Sequence, residues 1–194
     1  MTTPARRITA LAVIGVLAFA IVAGGLWFAF WKPVRHVDRE HGFSILFTAE
    51  WEIWPPGDGA TIRASRTIHD ANGVISVLAS PVENFPDAAA YRTWWIGATE
   101  KSMPGFARVK DGERETPAGK VPWTEYIYRA QPGDFRLQAL QFFVLAKGKG
   151  QEKDRGFIIT GTAAPGVFER FRADFLEAVD SFRAETPGGV TPAR

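Results

Sequence analysis

The spacing of apolar and polar residues changes character several times along the chain, and its first segment is apolar throughout. Residues 8–31 read ITALAVIGVLAFAIVAGGLWFAFW without one charged side chain. At about 1.5 Å rise per residue such a helix is roughly 36 Å long, enough to cross a bilayer core of about 30 Å with some tilt. A buried helix of a soluble protein rarely runs this far without a polar stripe. A cleaved signal peptide competes with this reading, because Arg6 and Arg7 form a basic start and Ala18-Phe19-Ala20 fits a small-x-small cleavage site. The apolar run continues past that site and ends in Trp27 and Trp31 beside Lys32, an aromatic exit from a membrane, so an uncleaved signal anchor is expected.

After the anchor the period shortens. Residues 32–41 form a polar juxtamembrane segment, and a domain is expected over 42–183. Phe43, Ile45 and Phe47 open it as a strand, followed by a short run at 51–54 and the turn signal Pro55-Pro56-Gly57. Strand-like runs at 60–68 and 74–79 flank a polar link whose Asn72-Gly73 suggests a hairpin turn. Pro86 and Asp87 then open a helix to about Ser102, with Ala88, Tyr91, Trp95 and Ala98 on one face and Trp94 beside it. Four further strands are expected at 106–110, 121–129, 135–146 and 156–162, joined by links that include Gly112, Gly119 and Gly133. The final helix is plainest: over 165–182, Phe168, Phe171, Phe175, Val179 and Phe182 recur every three or four residues, with Pro165 in the first turn. Residues 184–194 are rich in Pro and Gly and are expected to be disordered. Strands, helix, strands, helix, with polar links, predict one α+β domain on a single antiparallel sheet without a second core.

Charge reads differently once the anchor is set apart. Arg6, Arg7 and Lys32 are three of 23 basic residues, whereas all 21 acidic residues follow the anchor, so the domain side carries about one net negative charge. With only the mixed-sign loop 147–155 rich in lysine, no nucleic-acid partner is expected. Positive charge is nearly balanced across the anchor, between Arg6 and Arg7 on one side and Lys32, Arg35 and Arg39 on the other, so it does not fix sidedness. The seven-residue tail favours a single-pass inner-membrane protein with its N-terminus in the cytoplasm and its domain in the periplasm or outside the cell. Without cysteine there is neither a disulfide nor an acylated cysteine, so the lipid bilayer is reached through the helix alone.

Chemistry is sparse. His36, Asp38, Glu40 and His41 lie within six residues, yet two imidazoles five apart share no helix face and Arg39 sits among them, so a solvated segment fits better than a metal site. His69-Asp70 reads as turn, and no GxSxG, HExxH, GxGxxG or cysteine nucleophile is present. No catalytic residue, cofactor site or metal site is assigned. What remains is surface: Trp94 and Trp95 cannot both point into one core from one helix, so Trp94, Trp95 and Trp54 are the candidate contact residues.

Three stretches carry a resemblance. HGFSILFTAEW, the helix with Trp94-Trp95, and the closing GFIITGTAAPGVFERFRADFLEAVDSFR resemble the PsbP-like fold family, which takes in the photosystem II extrinsic protein and bacterial envelope proteins such as DcrB and LpqN. The resemblance spans about residues 42 to 183 and rests mostly on packing positions. It implies a curved antiparallel sheet between helices, an α/β/α sandwich, and a non-catalytic accessory role with an envelope protein as partner. A small-ligand or lipid carrier, and an unrecognised hydrolase, stand as alternatives.

Overall fold

The computed structural model describes residues 32–55, 59–83, 85–130, 135–148 and 153–185. The expected anchor and the segment beyond residue 185 lie outside the described residues. Among those described, no helix is long and apolar enough to cross a membrane.

Ten strands and two helices are described. β1 (Val34–Asp38), β2 (Phe43–Phe47) and β10 (Arg183–Ala184) form a three-stranded sheet in the order β1-β2-β10. β3 (Glu52–Trp54), β4 (Ile62–Ile68), β5 (Ala71–Val82), β6 (Ala107–Thr116), β7 (Gly119–Ala130), β8 (Phe135–Ala146) and β9 (Asp154–Ala163) form the larger sheet, ordered β3-β4-β5-β9-β8-β7-β6. Every pairing is antiparallel. Helix α1 (Ala88–Ser102) connects β5 to β6 and packs on β7 and β8; helix α2 (Phe168–Ser181) follows β9 and packs on β2 and β9.

The two faces of the large sheet are filled unequally. On one, Phe168, Phe171, Phe175 and Val179 of α2 and Phe43, Ile45 and Phe47 of β2 bury themselves against Ile62, Ile75, Leu140, Phe142, Phe157 and Ile159. Each aromatic ring sealed there contributes about 1.5–3 kcal/mol. On the other, α1 alone supplies cover, with Tyr91, Ile96 and the half-buried Trp95 over Tyr126, Ala139, Phe143 and Ile158. There are thus two sheets and two apolar cores, where the sequence pattern suggested one of each. The α+β class and the antiparallel sheet between helices stand as expected.

The polar side of α2 is not simply solvated. Arg172 donates to Glu125 on β7 at 2.7 Å, and that carboxylate is almost wholly buried and also accepts from Gln138. Arg114 on β6 grips Asp180 with two bonds of 2.8 and 2.6 Å, and Arg66 on β4 reaches Asp174 at 2.5 Å. The forked Arg114–Asp180 pair fixes orientation as well as adding energy. α2 is therefore pinned at three strands across the sheet.

Several local expectations are corrected. His69-Asp70 forms the β4–β5 turn as read, both at positive φ (45° and 64°), but Asn72-Gly73, expected as the hairpin turn, lies inside β5, which starts at Ala71. A side chain on Gly73 would collide with the Phe171 ring, so this glycine serves packing and not the turn. Gly112, expected in a link, sits within β6 under the Trp123 indole. β1 occupies part of the supposedly solvated juxtamembrane stretch, paired along its length with β2. Pro165 precedes α2, which begins at Phe168.

Gly161 on β9 lies under Phe175, and a methyl group there would overlap the ring. Gly161→Ala is expected to lower stability by about 1–3 kcal/mol through overpacking, read as a drop in the denaturant midpoint at unchanged slope.

Candidate functional site

α1 is shorter than the face it covers. Its N-cap, Asp87, accepts from the Ala90 amide at 2.8 Å, and its chain ends at Ser102, with Gly105 at positive φ (65°) leading into β6. It lies over β7, β8 and the first part of β9, where Tyr91 covers Gly156 and Ile158 is buried, so the same face of β4, of much of β5 and of β9 beyond Ile158 is left without a roof. The result is a cleft of about 750 Å³, within the range of small-molecule sites.

Its floor follows from strand alternation. On β9, Phe157, Ile159 and Gly161 face α2, which turns Ile158, Thr160 and Thr162 into the cleft. Val74, Ser76 and Leu78 of β5 continue the floor, and Tyr126, Tyr128, Trp95 and Met103 form the wall beneath α1. Among the described residues no aspartate, glutamate or histidine lines it, and Arg63 is the one charged side chain in its lining. Burial pushes the Tyr126 phenol far above its ordinary value. The Tyr128 phenol is pushed up as well by burial, against the opposing influence of Arg63. Both are neutral hydrogen-bonding groups at physiological pH.

Two polar atoms in this lining are buried and lack a partner: Trp95 Nε1, a donor, and Gln141 Oε1, an acceptor. Gln141 is only 6% exposed; its Nε2 donates to Thr160 Oγ1 at 3.2 Å, which leaves the oxygen unused. Turning the amide over would satisfy the oxygen and orphan the NH₂ group instead. Buried polar groups left unpaired cost about 1–3 kcal/mol each.

The sequence-nominated residues disperse. Trp95 is half-buried in the cleft wall, while its neighbour Trp94 is 55% exposed, with its ring 5.5 Å from Phe85 and 6.3 Å from Tyr91. Trp54 sits on β3, at the sheet edge, and donates from Nε1 to Ser65 Oγ at 2.8 Å. His41 Nδ1 lies 2.9 Å from Asp38 Oδ2, closing a turn. Among the described residues no group of three or more histidine or acidic side chains is placed to hold a metal ion. Asp154 ties the loop after β8 by bonding Lys147 Nζ at 2.7 Å and the Gly148 amide at 3.0 Å. Gln141, Thr160 and Thr162 were missed by sequence reasoning. The available signal was the repeated small hydroxyl on alternate positions of an otherwise apolar central strand.

This arrangement, a large antiparallel sheet with one helix on each face and a small sheet beside the second helix, recurs in solved structures. LpqN of Mycobacterium tuberculosis, described as involved in cell envelope biogenesis, superposes with a TM-score of 0.61 at 11% identity, over 80% of this chain and 91% of that one. The fold is PsbP-like. The cyanobacterial PsbP (CyanoP) of Synechocystis sp. PCC 6803 agrees, with a TM-score of 0.51 at 15% identity over 79% of this chain and 92% of its own. No protein-family model matches the sequence, and no curated protein matches it either. At such identities the PsbP-like fold is what is shared, and residue roles do not transfer.

Gln141→Leu fills nearly the same volume without an orphaned oxygen. It is expected to stabilise the ligand-free protein by about 1 kcal/mol, seen as a higher urea midpoint.

Proposed function

We propose that the chain is a non-enzymatic accessory protein of the cell envelope. Residues 8–31 tether it to the inner membrane, with the domain on the periplasmic or outer side, and it works by binding a small uncharged amphipathic molecule in the cleft beside α1. The unpartnered Trp95 Nε1 and Gln141 Oε1 in an apolar-floored cleft carry this reading. Such a pair suits a ligand whose body rests on Val74, Leu78 and Ile158 and whose hydroxyl or amide groups both accept and donate. Among the described residues the cleft is lined by neither carboxylate nor imidazole, so they supply it no general acid or base of the usual kinds, which supports binding over hydrolysis. LpqN, which has the same fold and is involved in cell envelope biogenesis, accords with the envelope setting.

From sequence alone, binding of an envelope protein ranked first; the cleft moves a small ligand ahead of it. The protein-binding reading keeps one specific support, the exposed Trp94 on the outside of α1.

Photocrosslinking in the native membrane separates the two. With a benzophenone side chain at Leu137, which lines the cleft, the small-ligand reading expects the full-length chain to gain an adduct of small-molecule mass by intact mass spectrometry. Gln141→Leu should cut that adduct about tenfold, the equivalent of losing one well-made buried hydrogen bond. A protein-sized adduct at Leu137, insensitive to Gln141→Leu, would instead support a protein partner.

A further inference from the structure

Seven large apolar side chains are exposed among the described residues, and four of them, Val34 (52%), Val37 (46%), Ile53 (37%) and Trp54 (48%), belong to β1 and β3. Both are outermost strands: β1 has β2 as its one neighbour, and β3 has β4. Each therefore combines an unpaired backbone edge with apolar side chains, a pairing that soluble proteins avoid because it invites aggregation. The two edges border one groove of about 450 Å³, where Val37, Ile53 and Trp54 sit beside the charged turn Asp38-Arg39-Glu40 and His36, whose basicity burial lowers below its ordinary value.

Chain length says what covers this edge. The uncharged run ends at Trp31 and β1 begins at Val34, so Lys32 and Pro33 are all that separates them. Even fully extended, the chain from Trp31 to Val34 reaches about 10 Å. The polar headgroup layer outside the hydrocarbon core is roughly 5–8 Å deep on each side. A run seated in the bilayer therefore holds Val34, the start of β1, within a few ångströms of the headgroup surface. The side chains nearest the interface there are Val34 and Val37, on the two faces of β1, with the exposed Arg35 and Arg39, and Ile53 and Trp54 across the groove; tryptophan is at home at that depth and arginine pairs with anionic headgroups.

We propose that the edge formed by β1 and β3, with Val34, Val37, Ile53 and Trp54, lies against the bilayer interface and holds the domain down on the membrane beside its own anchor. This rests on the tether in the proposed function. It gives the cleft a direction: Thr61 lines the groove and the adjoining Ala60 lines the cleft, so one end of the cleft opens next to the membrane surface.

The absence of cysteine makes the test clean. Full-length protein carrying a single cysteine, Val37→Cys, Ile53→Cys, Ala20→Cys or Val109→Cys, is labelled with an environment-sensitive fluorophore. Each is reconstituted in vesicles of phosphatidylethanolamine and phosphatidylglycerol containing headgroup or acyl-chain spin labels. Val109 is exposed on β6, six strand spacings or roughly 29 Å from β3, and serves as the distant site. The proposal expects Ala20→Cys quenched by the acyl-chain label, Val37→Cys and Ile53→Cys quenched by the headgroup label at least about twofold more than Val109→Cys, and Val109→Cys unaffected. Edge labels no more quenched than Val109→Cys, with Ala20→Cys still quenched, would overturn the docking of the edge while leaving the tether standing. An unquenched Ala20→Cys would overturn the tether itself. Edge labels that quench one another in proportion to protein density, with no response to the lipid labels, would show that a second copy covers the edge and overturn the proposal.

Discussion

The structure depends on the pairing of β5 with β9. These strands are joined in ten consecutive registers, from Gly73 opposite Ala163 to Val82 opposite Asp154. They connect two antiparallel runs, β3-β4-β5 and β6-β7-β8-β9, that are otherwise separate in sequence. β9 sits centrally, with β5 on one side and β8 on the other, so its side chains must serve both faces. Its α2-side positions carry Phe157, Ile159 and Gly161, the last left small so that Phe175 can settle on the backbone. Its other face carries Ile158, Thr160 and Thr162. Sealing one face and leaving the other partly polar is written into one strand by alternation.

That asymmetry decides where each helix can act. α2 brings an aromatic stripe and three arginine–carboxylate ties, to β4, β6 and β7, and so closes its face of the sheet. Arg155 reinforces the same side by donating to the carbonyls of His41, Gly42 and Glu185, which fastens the ends of the small sheet to β9. α1 has no comparable set of ties among the described residues, and it roofs β7, β8 and only the first part of β9. The cleft is the part of the open face that α1 does not reach.

The sequence disclosed what depends on regular spacing. The phenylalanines of α2 announced both the helix and its buried side, and the long strand 135–146 was read to its ends because Pro132-Gly133-Asp134 precedes it and Lys147-Gly148 follows it. Glycine was misread where its two uses look alike. Gly73 and Gly112 signal turns in sequence, yet each clears room for a ring, from Phe171 and Trp123, and that requirement exists only after distant elements meet. β1 was hidden because an outermost strand with few buried positions has the polar composition of a loop. The cleft was not legible at all: Gln141, Thr160, Ser76 and Trp95 come from four elements, and none is unusual in its own neighbourhood.

The central claim is that the cleft between α1 and the sheet is a site kept open for a ligand rather than an imperfection of packing. The most direct test is an experimental structure of the full-length protein purified gently from its native membrane, at a resolution that separates lipid-like density from water. The account predicts elongated density along Val74, Leu78 and Ile158, with polar atoms about 2.7–3.2 Å from Trp95 Nε1 and the Gln141 amide. A cleft holding ordered water alone, or one closed by α1 settling onto β5 and β9, would contradict it.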